Sequence, residues 1–143
     1  MIQFILVQNK QGKTRIEKWF AQHEDSEKEE IKAKVHSLVL YRNQSYYTNF
    51  IEFGEFRIVY RRYAGLYFCF CVDSGDNILS YLESIHLFVE VLDTIFQNVT
   101  ELDLVFSFLK VYSIVDEMFL AGEIEETSKE DIIKRIALLD SLG

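Results

Sequence analysis

Proline does not occur anywhere in the 143 residues, and neither does a repeat, a low-complexity tract or a change of composition that would mark a linker. Residues 1–143 therefore read as one continuous domain. A chain of this length buries roughly 70% of the surface its unfolded form exposes. Cysteine is scarce. Cys69 and Cys71 stand two apart in a segment that reads as a strand, where they point the same way at ~6.6–6.8 Å, the edge of what a disulfide tolerates. Both are expected as buried thiols of a cytosolic protein. The three histidines, His23, His36 and His86, are widely separated and have no cysteine at ligand spacing, so no metal site is expected.

Positive charge is also short: 15 Lys and Arg stand against 23 Asp and Glu, a net charge of −8. The broad basic field of a nucleic-acid binder is missing. No uncharged apolar run approaches the ~18 residues that cross a bilayer. "MIQFILVQNKQGK" lacks both the basic flank and the small-residue cleavage site of a signal peptide. No glycine-rich phosphate loop is present; "SGDN" reads as a connection in which Asp76 or Asn77 caps the following helix. No Ser, Cys or Thr has a nucleophile setting, and Asp116 and Glu117 diverge as helix neighbours. Neither enzymatic activity nor a cofactor is expected.

What is abundant is apolar and aromatic: 49% hydrophobic residues, 15% aromatic. "IQFILVQ" is apolar at nearly every position, as in a strand covered on both faces. "NKQGK" is a turn with Gly12 free to adopt a positive φ, and "TRIEKWF" returns as the second arm of the hairpin. "DSEKEEIKAKVHSLVLY" reads as a helix, with Ser26 and Glu29 at capping-box spacing. "NFIEF", "EFRIVYRRY" and "GLYFCFCVD" form a meander with a tight turn at Gly54. After "SGDN" the period becomes 3.6: Ile78, Leu82, Ile85, Val89, Leu92, Phe96 and Val99 make one long amphipathic stripe. "LVFSFLKVYSIVDEMFLAG" predicts a third helix, apolar nearly all round. A last one follows in "TSKEDIIKRIALL", with Thr127 and Glu130 at capping-box spacing. The class is α+β: a five-stranded antiparallel sheet with helices on both faces.

Two features exceed a plain core. A helix apolar all round is central in its own domain or docked on a partner. A basic set, Lys10, Lys13, Arg15, Arg57, Arg61 and Arg62, gathers in the strand-rich half. Edge-strand ion pairs account for it most simply, and these contribute only ~0–1 kcal/mol. The alternative is a small cationic patch beside apolar ground, suited to a peptide with a carboxylate and greasy side chains.

"MIQFILVQNKQGKTRIEKWF", "NFIEF", "VYRRYAGLYFC", "FVEVLD", "VTELDLVF" and "VDEMFLAGEIEETS" occur in the order found in one family. Over its whole length the chain resembles the small (sigma) subunits of the clathrin adaptor complexes. "NFIEF" and "YRRYAGLYF" are similar to members that work at the plasma membrane; Golgi and endosomal members typically read Lys-Arg, and Ser in place of Gly, in the second stretch. The resemblance implies a longin-like fold and packing into an alpha-type large subunit. It implies a heterotetramer with a beta-type large and a mu-type medium chain, and contact with clathrin and phosphoinositide membrane only indirectly. It also implies recognition of cargo signals with an acidic residue four positions before a leucine pair. Arg15 matches the contact to the acidic residue. Ala64 and Val89 match one leucine pocket; Leu66, Asn98, Val99 and Leu104 match positions around the other or between the two, with Leu102 nearby. Arg62 is expected on the ligand side. The nearest rival is the same role in a Golgi or endosomal adaptor; a longin-type tethering or fusion regulator, which would dispense with leucine pockets, is the rival of another class.

Overall fold

The computed structural model describes residues 1–45, 49–120, 122–124 and 128–142. Five strands, β1 (Ile2–Asn9), β2 (Thr14–Trp19), β3 (Phe50–Phe53), β4 (Phe56–Tyr63) and β5 (Leu66–Asp73), form one antiparallel sheet in the order β2-β1-β5-β4-β3. The two most apolar strands, β1 and β5, are central, where both faces are covered and no polar alternation is needed. Their side chains sort by the period of two. Ile5, Val7, Phe68, Phe70 and Val72 enter one core, and Phe4, Leu6, Tyr67, Cys69 and Cys71 the other. The cysteines are buried and free, and burial pushes the Cys71 thiol up to about 12 and Cys69 upward too.

Helix α1 (Asp25–Ser45) covers the cysteine face. Helices α2 (Ile78–Phe96), α4 (Phe108–Met118) and α5 (Lys129–Leu142) cover the other, and the short α3 (Glu101–Phe106) leads into α4. A small ribbon, β6 (Phe119–Leu120) with β7 (Glu123–Ile124), precedes α5. The α+β layering expected from the sequence is what forms. Among the described residues no helix is long and apolar enough to cross a membrane.

Local expectations fare unevenly. Asn77 caps α2, its side chain accepting from the Leu79 N–H at 3.0 Å. Gly54 and Glu55 form the two-residue turn between β3 and β4. Ser26 is not the cap of α1: the helix begins at Asp25, so Ser26 lies inside its first turn. Thr127 lies outside the described residues; Ser128 Oγ accepts from the Asp131 N–H at 3.4 Å.

Two corrections matter for function. The stripe through Val99 does not stay helical. It stops at Phe96, and Gln97 and Asn98 take left-handed φ values of 54° and 77°. Val99 still reaches the core, because burial of the side chain rather than helical continuity produced the pattern. The expected single third helix is two, parted at Ser107 (φ −118°, ψ 36°). Leu104, Val111, Ile114, Val115 and Met118 face inward, while Leu102, Val105, Phe106, Phe108 and Leu109 are exposed. The pair α3–α4 is tied to the edge strand β2: the Glu17 N–H donates to Tyr112 Oη at 3.1 Å, and Lys18 Nζ lies 3.0 Å from Asp116 Oδ1.

Candidate functional site

Three connections meet at one end of the sheet. The first is the β1–β2 turn. Asn9 Oδ1 accepts the backbone N–H groups of Gln11 and Lys13 at 3.0 and 2.9 Å, and Gly12 adopts φ +90°. The second is the β4–β5 turn, adjacent because Asn9 pairs with Leu66 across β1 and β5. Its central residues, Ala64 and Gly65, have φ +55° and +75°, a mirror-type hairpin turn that matches strand twist. Ala64 accepts a backbone that disfavours any Cβ by ~1 kcal/mol. The third is the 97–100 connection between α2 and α3.

Asp93 joins the second and third. Its backbone carbonyl accepts from Gln97 and Asn98. Its carboxylate accepts the Val99 N–H at 3.0 Å and the Tyr63 hydroxyl. That hydroxyl contact to Asp93 raises the phenol's pKa above its usual value. The turn before Ala64 and the loop carrying Asn98 are thus fastened to one carboxylate.

The first and third connections are joined through Glu101. Arg15 Nε and Nη2 both reach Glu101 Oε2 at 2.8 Å, and Asn9 Nδ2 donates to the same oxygen at 3.0 Å. The Asn9 hydrogen bond, then that from Arg15, hold the Glu101 carboxyl below the ordinary carboxylate range. The capping box of Thr100 and Asp103 fixes the start of α3 and so the place of Glu101.

Of the positions expected to bind a ligand, Arg15, Ala64, Leu66, Asn98, Val99, Leu102 and Leu104 lie on or next to these connections, and Val89 lies farther back in α2. Leu66, Val89, Val99 and Leu104 belong to one buried cluster, with exposures of 0–4%. Ala64, Asn98 and Leu102 are exposed around it, and Arg15 is half-buried. The four apolar positions are packed as core and do not line an open groove. Arg62 lies at the same end of the sheet but on its other face. It pairs with Tyr67 and its guanidinium sits over that ring at 5.9 Å, on the α1 face. The neighbouring Arg61 points to the α2 face, beside a hollow of about 350 Å³ lined with Leu79, Leu82, Glu83 and His86. Strand alternation sends the adjacent arginines to opposite faces, while both border a second hollow with Asn49 and Leu82. Arg57 lies at the far end of β4, its Nε 3.0 Å from Glu52 Oε1 yet out of line for a hydrogen bond.

Sequence reasoning missed Asn9, Tyr63, Asp93 and Glu101. Thr100 and Asp103 at capping spacing could have placed the start of α3, and with it Glu101.

The family model for the clathrin adaptor complex small chain matches residues 1–143. The chain belongs to this family. It is similar to the AP-2 complex subunit sigma of Aspergillus fumigatus, 62% identical over 143 residues and covering 99% of each chain. The protein of the same description from Neurospora crassa is 60% identical over 142 residues, again covering 99% of each. Among solved structures, a chain of "Homology model of the full-length AP-3 complex in a stretched open conformation" superposes with a TM-score of 0.78 at 28% identity, covering 99% of this adaptor small chain and 95% of that chain.

Proposed function

We propose that this adaptor small chain recognises acidic dileucine sorting signals on membrane cargo at the plasma membrane, as one of four chains of an endocytic adaptor. The observation that carries the reading is that Asp93 fastens Tyr63, beside Ala64, to the Asn98–Val99 loop, while Glu101 fastens the start of α3 to Arg15 and Asn9, whose strand partner is Leu66. A guanidinium beside apolar ground suits a ligand with one carboxylate and two leucines. Arginine supplies charge-assisted hydrogen bonds, and burial of the leucines supplies most of the affinity, ~25 cal/mol per Å². Because the apolar positions are packed, the side chains above them must part for leucine entry. The plasma-membrane assignment draws on the AP-2 descriptions of the relatives. The exposed flank of α3 and α4 supports docking on an alpha-type large chain, with beta-type and mu-type chains completing the complex. Clathrin and phosphoinositide contacts then fall to those partners.

The test is to co-express the chain with an alpha-type trunk and titrate an acidic dileucine peptide beside its double-alanine version. Saturable binding of the first alone is expected; equal binding of both would end the proposal. Ala64→Asp is expected to abolish binding while assembly persists. Aspartate tolerates the left-handed turn, but its charge would face an apolar ligand without a partner. Arg15→Ser should weaken peptides with the acidic residue and spare those with alanine there.

A further inference from the structure

The Arg15 guanidinium is already occupied by a carboxylate of its own chain. Nε and Nη2 both point at one oxygen, Glu101 Oε2, at 2.8 Å. Asn9 Nδ2 adds a third donor to that oxygen at 3.0 Å. The orientation of the Asn9 amide is settled by its surroundings, since Oδ1 must accept the Gln11 and Lys13 N–H groups. Nδ2 is therefore a preset donor on a buried residue, and removing Glu101 would leave it unpaired, which a buried donor resists. Glu101 is held in place by a group other than the arginine.

A guanidinium has five N–H donors. Glu101 Oε2 accepts from Nε and lies 2.8 Å from Nη2, so among the described residues the Nη1 end of the fork is left for a second anion. Building on the dileucine reading, we infer that Glu101 is a resident counter-ion that shares Arg15 with the ligand and limits how strongly an acidic peptide is preferred over a neutral one. It holds the guanidinium still, and at the same time its negative charge lies close to where the ligand carboxylate arrives. Affinity for acidic signals is thereby moderated while the geometry of the contact is fixed.

Glu101→Gln separates the two effects. The amide oxygen can still accept from Asn9 and Arg15, but the charge is gone. Two like charges about 4 Å apart in a watery setting oppose each other by roughly the energy of a fivefold change in binding. With the co-expressed complex, this variant is expected to bind the acidic dileucine peptide about fivefold more tightly and its alanine counterpart unchanged. The gain should shrink at high salt, as screening requires. Glu101→Asp keeps the charge and is expected to retain the unmodified chain's preference for acid over alanine. An unchanged or narrower preference in Glu101→Gln would overturn the inference, as would a gain of equal size in Glu101→Asp. If the unmodified complex binds the leucine-pair and double-alanine peptides alike, the dileucine reading itself has failed and this inference falls with it.

Discussion

The two faces of the sheet receive alternate residues of the same strands, yet they end differently. Among the described residues, the α1 face holds a cluster of ten buried side chains, beneath a helix that presents Glu27, Glu30 and Lys34 outward. The opposite face holds twenty-four, joined through α2, α4 and α5. There the apolar character runs on past the core to Phe106 and Leu109, 80% and 72% exposed. The first face is closed by a single helix. The second includes the buried part of the candidate site and an uncovered apolar flank. The five strands give the two faces nearly equal material, nine and eight of these buried residues, so the helices create most of the difference.

The sharpest way to break this comparison is in the larger core. Phe88 stacks edge-on against Phe68 and Phe119, with ring centroids 5.9 and 6.2 Å apart. Phe88→Ala is expected to cost ~3–5 kcal/mol in urea unfolding. Val39→Ala under α1 should cost only about 1.5 kcal/mol, two methylene equivalents. Equal losses would mean that the faces carry the fold alike. Next comes the flank. Phe106→Asp and Leu109→Asp are expected to leave stability within ~0.5 kcal/mol while preventing co-purification with an alpha-type trunk; intact assembly would place the docking surface elsewhere. The smallest effect belongs to the cysteines. Burial disfavours the thiolate, so Cys69 and Cys71 ionise only at higher pH than a free thiol. Both should resist iodoacetamide at pH 8 in the native chain and react on unfolding; native labelling would show that the α1 face opens readily.

The sheet was legible because its signals are local. Gly12 and Gly54 mark turns, and the apolar β1 and β5 announce central strands. The break at Ser107 was not, because "LVFSFLK" contains neither proline nor glycine and its apolar period continues through the bend. Val99 misled for a related reason: a buried position in register with a helix need not be reached by one. At the site, family resemblance supplied Arg15 and the positions matched to leucine pockets. Nothing in the sequence ties Asn9 to Glu101, 92 residues apart. Contacts of that kind depend on the closed sheet and on where the 97–100 loop sets α3 down.

The hydrogen bond from the Glu17 N–H to Tyr112 has a consequence for a copy that has not yet met its partners. An edge strand with free amide groups invites another chain to extend the sheet, a route to aggregates that seldom reverse. Here a tyrosine hydroxyl stoppers one such amide, and the Lys18–Asp116 bridge lies across the same strand. Beside that edge an orphan copy offers its neighbours the greasy side-chain surface of α3 and α4, whose contacts can be exchanged. Waiting for assembly is safer when an adhesive is one that lets go.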